Sequence, residues 1–203
     1  MGWGLVCVVV MGRPGAMTAA DIRDEKVKVV RALRVIDETS VADHVVRGQY
    51  TSGWYQAEEL TGYLELEDAD NPQSDTETFV AVKAFIDNWR WAGVPFYVRT
   101  GKRMGEKVTE IVITYKTLAH NIFASHENAP NRLVIRLQPN EGIEMHMLSK
   151  QHGIEAGTAL TPQALDLNFL SASGIDRIPD AYERLFLDVF RADQSLFVGR
   201  EEV

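Results

Sequence analysis

Cysteine is nearly missing. The 203-residue chain has one, Cys7. A single thiol excludes an internal disulfide and any zinc site built on several thiolates. Cys7 lies in an apolar run and reads as a small buried hydrophobe rather than a nucleophile. Long hydrophobic runs are lacking too. The longest, Leu5 to Met11, falls well short of the ~20 residues that span a bilayer. No lysine or arginine precedes it, so it does not read as a secretory leader. Positive charge is also scarce. Lysine and arginine number 21 against 29 acids, a net charge of −8, which makes non-specific nucleic-acid binding a poor expectation. The composition fits a reducing cytoplasm, without membrane or nucleic-acid partners.

Several motifs are absent. No G-x-G-x-x-G follows a strand, and no G-x-x-x-x-G-K-[ST] occurs, so no dinucleotide or nucleotide phosphate cradle is recognisable. H-E-x-x-H and the G-x-S-x-G elbow are missing. None of the five histidines has helix-spaced metal partners, so each reads as a surface or structural residue. No internal repeat or low-complexity tract occurs.

Hydropathy gives the elements. Taken alone, Val6 to Val10 reads as a buried strand. A helix is expected from Asp21, as its cap, to Arg34, with Val27, Val30 and Leu33 as the apolar stripe and Val29 at its margin. A short helix is expected from Thr39 or Ser40 to before Gly48. Glu58 to Thr76 holds seven acids and Pro72 and reads as a solvated loop, without the dense ligand motif a metal needs. Phe79 to Ile86 suits a central strand or a buried helix. Val94–Arg99, with Pro95, suits a strand start or an edge. Val108–Lys116 and Arg132–Gln138 alternate as strands, and Gly142–Lys150 follows as another. Pro139-Asn140-Glu141-Gly142 should turn the last two into an antiparallel hairpin. A further strand is expected near Leu165 to Leu170. Asp180 and Glu183 suit a capping box, and Tyr182, Leu185, Phe186, Val189 and Phe190 mark the expected buried face of the helix that follows. This order argues for an α+β fold with a mainly antiparallel sheet.

One basic segment remains for chemistry. Arg99 to Lys107 carries four cations in nine residues of an otherwise acidic chain, with Gly101 and Gly105 among them. Glycine lets a backbone approach a ligand closely, and lysine suits a dianionic phosphate as a compact point charge. Two readings stand: a solvated hairpin tip, or a phosphate site at a strand end. Gln138 could add a neutral hydrogen bond to a sugar hydroxyl if its strand ends near the same loop; otherwise it is a partly exposed strand residue.

The chain also resembles a known family. Ile22–Val29, Gly48-Gln49-Tyr50, Thr78–Ala81, the long run Phe85–Lys102, Val134–Glu141 and Asp180–Leu185 resemble glucose-6-phosphate dehydrogenase, in that family's order over roughly residues 20 to 200. The resemblance implies the second of the family's two domains, an α+β domain with a large, mainly antiparallel sheet and helices packed on one face. The first, a Rossmann domain, binds NADP; its site is not expected in this chain. Residues 1–20 would then be the remnant of an upstream helix and linker, which turns Leu5–Met11 from strand to helix. Residues 21–203 would be the C-terminal domain, truncated at its end.

The resemblance implies that Lys102 contacts the phosphate or sugar of glucose 6-phosphate. Lys107 falls where the family places a second cation, and Gln138 where some members contact substrate. No histidine falls at the position of the family's general base, so no catalytic residue is assigned and the isolated chain is expected to be inactive. Some members hold a second, structural NADP with basic residues on the sheet. Val108 and Val112 occupy two of those positions, while Arg99 and Arg136 remain, so none is expected here. The expected partners are glucose 6-phosphate and a second copy, through the sheet face. A non-catalytic sugar-phosphate-binding or oligomerisation module is the competing reading; a separately encoded Rossmann partner is a third.

Overall fold

The structure is a computed structural model that describes residues 2–66, 73–120, 122, 129–152, 160–174, 179, 181–195 and 197–202. The chain divides into two units. Residues 1–105 and 180–203 form the first, and residues 106–179 the second.

The first unit begins with α1 (Gly2–Val10). The local strand reading fails here, and the helix implied by the family resemblance is the one observed. Tertiary contacts supply the reason. Cys7 and Val10 are buried with Val29 and Ile86 in one core. The final carbonyls of the helix also find side-chain donors, as helix ends require. Trp91 Nε1 donates to the Val10 carbonyl at 2.8 Å and Arg90 Nη1 to that of Met11 at 3.2 Å. A β-prone sequence yields when its packing and its hydrogen bonds are both helical.

Helix α2 (Ala19–Arg31) starts earlier than expected. Its cap is Thr18, whose hydroxyl accepts from the Asp21 amide at 3.2 Å. Its buried residues are Ile22, Lys26 and Val29, so the inward stripe is turned from the expected one and Val29 belongs to it. The helix end is tied to a strand. The Asp87 amide donates to the Ala32 carbonyl, the Arg34 amide to that of Phe85, and the Arg34 guanidinium forks onto Asp87. The expected second helix is a single turn, α3 (Val41–His44). Asp37 leads into it by accepting from the amides and hydroxyls of Thr39 and Ser40.

Strand β1 (Val45–Gly48) follows, then β2 (Gly53–Tyr55) and β3 (Glu58–Leu60), which pair as a hairpin; β3 lies at the start of the stretch Glu58–Thr76 read as loop. Its turn residues, Gln56 and Ala57, both have positive φ, the twist a two-residue hairpin prefers. Residues 67–72 of the expected acidic loop lie outside the described residues. Strand β4 (Phe79–Phe85) is central, between β1 and β5 (Pro95–Gly101), and both pairings are antiparallel. Pro95 opens an edge strand, where its missing N–H costs no ladder bond.

The second unit is an antiparallel meander of β6 (Thr109–Thr114), β7 (Arg132–Gln138), β8 (Gly142–Lys150) and β9 (Leu160–Asn168). The expected hairpin is present: Ile135 faces Ile143 and Leu133 faces Met145. The last strand ends two residues early, because Asn168 caps α4 (Phe169–Ser173) by accepting from the Ser171 amide at 3.1 Å. Register places two apolar rows on one face. Ile113, Leu133, Met145 and Leu165 form one row; Ile111, Ile135, Ile143 and Leu167 form the other. The opposite face carries charge. The Arg136 guanidinium pairs with Glu144 and with Asp166 at 2.6 Å, and His146 Nε2 lies 2.9 Å from Glu144.

Helix α5 (Ala181–Phe190) belongs to the first unit. Its periodicity is as expected but its burial is not. Phe190 is 86% exposed, and Tyr182, Phe186 and Val189 are exposed too, whereas Asp188 is 2% exposed and pairs with Arg184. An apolar stripe records which face avoids water, not what covers it. Asp180, half of the expected capping box, lies outside the described residues. The fold class is α+β with antiparallel sheets; among the described residues the strands fall into sheets of three, two and four.

Candidate functional site

The basic segment is not the tip of a hairpin. Among the described residues β5 pairs with β4 and β6 pairs with β7, so residues 102–108 cross from one sheet to another. The first half of this crossing is held in place. The Lys102 amide donates to the Thr78 carbonyl at 2.8 Å. Arg103 Nη1 donates to the Thr61 carbonyl at 2.6 Å, and its guanidinium lies 4.9 Å from the centre of the Tyr50 ring. The Tyr55 hydroxyl donates to the Gly105 carbonyl.

The two glycines of the segment differ. A Cβ on Gly101 would lie 2.8 Å from Met104 Sδ and 2.9 Å from the Phe79 ring, so the close approach there is to the protein itself. A Cβ on Gly105 would meet nothing within 4 Å.

The Lys102 side chain is exposed, and its ammonium makes no hydrogen bond or ion pair among the described residues. The second unit holds the other two candidates. Lys107 is exposed, two residues before β6. Gln138, also exposed, ends β7 directly opposite Thr109, the first residue of β6. Its strand therefore does end beside the segment that carries Lys107.

Two open clefts lie elsewhere in the first unit. One, of about 270 Å³, is lined by Arg47, Gly48, Gln49, Ser74, Asp75 and Glu77; its two carboxylates against one guanidinium disfavour an anion. The other, of about 330 Å³, is walled mainly by Val30, Leu33, Val35 and Ile36. None of the candidate residues lines either cleft.

His44 packs edge-on to Phe85, with its Nδ1 2.9 Å from the Ser40 carbonyl oxygen; His146 contacts Glu144; His120 and His152 are exposed. His126 lies outside the described residues. Among the described residues no group of three or more histidines, cysteines or acids could hold a metal ion, and no helix is long and apolar enough to cross a membrane.

Sequence reasoning missed two groups. The Arg103 contacts to Tyr50 and Thr61 join residues 53 and 42 positions apart, and no local pattern signals them. The Arg136–Glu144–Asp166 cluster was accessible in principle, since register puts Glu144 opposite Asp166 and one strand away from Arg136.

A family model described as the C-terminal domain of glucose-6-phosphate dehydrogenase matches residues 3–203. The chain belongs to the glucose-6-phosphate dehydrogenase family. Its similarity to glucose-6-phosphate 1-dehydrogenase from Dickeya dadantii is 48% identity over 201 residues, covering 98% of this chain and 41% of that protein. For Rhizobium meliloti the identity is 49% over 201 residues, covering 98% and 40%. The chain thus spans about two fifths of the length of the curated relatives it matches. A glucose-6-phosphate dehydrogenase solved in complex with its substrate glucose-6-phosphate superposes with a TM-score of 0.82 at 33% identity, over 98% of this chain and 39% of that one. The enzyme from Mycobacterium avium gives 0.77 at 32% identity, over 98% and 38%.

Proposed function

We propose that this chain is the phosphate-recognising portion of a glucose-6-phosphate dehydrogenase of the cytoplasm, with Lys102 as the principal ligand of glucose 6-phosphate. One observation supports the reading: Lys102 presents an ammonium that is unpaired among the described residues, from backbone that is tied down on both sides, in a chain of this family. A fixed base with a free charge is what a dianion needs, because little side-chain order is lost on binding. Lys107 supplies a second cation, and Gln138 an uncharged donor or acceptor for a sugar hydroxyl.

The residues of this chain do not fit NADP. The sequence holds no dinucleotide glycine motif, and the Arg136 fork already carries two carboxylates. A phosphate there would have to displace both. By itself the chain therefore binds the sugar phosphate without turning it over. The apolar rows of the β6–β9 sheet support docking of a second copy: Leu165 is 64% exposed, and Ile113 and Leu167 are exposed on the same face.

Chemical-shift mapping tests the site. Glucose 6-phosphate should move the amide signals of residues 102–108 and Gln138, and leave those of the Arg47–Glu77 cleft in place. Shifts confined to that cleft would overturn the assignment.

A further inference from the structure

Arg103 is an anomaly among the cations of its segment. It is exposed, yet its charged group is occupied: one nitrogen is on the Thr61 carbonyl, and the guanidinium carbon lies over the Tyr50 ring, 4.9 Å from its centre. Its backbone is also anomalous, with φ at +50°. That left-handed conformation suits glycine or asparagine, and arginine adopts it at a cost in steric energy. Such a conformation persists only where the surroundings over-determine it, and here they do. Lys102 N–H is fixed to Thr78 immediately before, and the Gly105 carbonyl is fixed to Tyr55 two residues after. Tyr50 is itself braced. Its amide donates to the Thr78 hydroxyl at 2.9 Å, and its ring meets Tyr63 edge-on at 5.9 Å. Thr78 thus holds Lys102 through its carbonyl and Tyr50 through its hydroxyl.

Resting on the reading of Lys102 as a phosphate ligand, we infer that Arg103 is a positioning residue. Its clamp on Thr61 and Tyr50 holds the backbone of Lys102 so that the neighbouring ammonium meets the phosphate of the sugar. Arg103 spends its own charge on the clamp rather than on the ligand. A lysine is a poorer substitute, because one compact ammonium must serve ring and carbonyl together, whereas a guanidinium spreads its charge over several donors.

The test uses the full 203-residue chain and its variants Arg103→Ala, Arg103→Gly and Tyr50→Leu. Arg103→Gly removes the clamp while relieving the positive φ, so it remains informative if the alanine variant folds poorly. Hydrogen exchange reads the clamp without any ligand. The Lys102 amide should exchange on the order of 10-fold faster in all three variants, while Val82 and Val98 in the ladder keep their wild-type rates. An unchanged Lys102 rate overturns the clamp. Calorimetry with glucose 6-phosphate reads its purpose. Loosening the Lys102 backbone, with no ligand contact removed, predicts a Kd raised about 5- to 10-fold for Arg103→Ala, with Tyr50→Leu, which removes no charge, raised to a similar degree. Weaker binding in Arg103→Ala with wild-type binding in Tyr50→Leu would make Arg103 a direct ligand and overturn the positioning role. Lys102→Ala separates the two proposals: wild-type affinity in that variant sinks the phosphate reading, while the exchange rates still decide the clamp.

Discussion

Gln138 stands directly opposite Thr109, which lies beside a register shift at the start of the β6–β7 ladder and two residues along the chain from Lys107. The pairing joins a candidate charge and a candidate neutral hydrogen-bonding group at one sheet end. Their contributions should differ by type. Lys107→Ala removes a charge-assisted contact worth ~1.5–3 kcal/mol and should raise the Kd for glucose 6-phosphate by about 10- to 100-fold. Gln138→Ala removes a neutral contact worth ~0.5–1.5 kcal/mol and should raise it by about 3- to 10-fold. Calorimetric titration of both variants checks the ranking; a larger loss for Gln138 than for Lys107 would reverse the assigned roles.

Ile86 is 1% exposed and closes the core made by Cys7, Val10 and Val29. It also sits beside the stitch between α2 and β4, pairing with Leu33. Ile86→Ala should leave a cavity that cannot collapse, costing ~2–5 kcal/mol in urea unfolding, against ~0.5–1.5 kcal/mol for Ile86→Val. Equal, small losses for both would show that this core is loosely packed.

Asp37 gives a pH signature. Hydrogen bonds from the Thr39 and Ser40 hydroxyls and amides hold its carboxyl down at about 2. An unfolded aspartate titrates near ~3.9. A depressed carboxyl stabilises the folded chain above the unfolded value, and that contribution fades as pH falls from about 4 towards 2. Asp37→Asn should therefore melt below the wild type at pH 6, with the gap closing on acidification. A gap that stays constant down to pH 2 would contradict the titration.

The apolar face of the β6–β9 sheet makes the fourth prediction. Leu165 and Leu167 stand on an edge strand, on the face that carries both apolar rows. Leu165→Lys with Leu167→Lys should shift the chain from dimer to monomer on size exclusion without changing its affinity for glucose 6-phosphate. A wild type that elutes as a monomer at tens of micromolar would remove the sheet-face dimer.

The strands were legible where hydropathy alternates along the sequence. Residues 132–138 and 142–150 carry a two-residue period with a turn between them, and the structure keeps both boundaries. Helix α5 was legible as a helix and illegible as a surface, since its stripe faces solvent. The β2–β3 hairpin was hidden because Gln56 and Ala57 make a left-handed turn without the Asn-Gly or Gly-containing signal that normally marks one. Residues 5–11 misled for a physical reason. A short, wholly apolar run has no period, and only its packing against Val29 and Ile86 makes it helical. At the candidate site the cations were legible from charge alone. Which of them is already engaged was not, because the groups that engage Arg103 come from residues 50 and 61.

Titrating glucose 6-phosphate into the purified chain and into its Lys102→Ala variant is the most direct measurement. The account predicts saturable binding by the wild type, weakened at least ~10-fold in the variant, and competed by inorganic phosphate. Equal affinity in the two proteins, or no binding by a folded wild type, would contradict it.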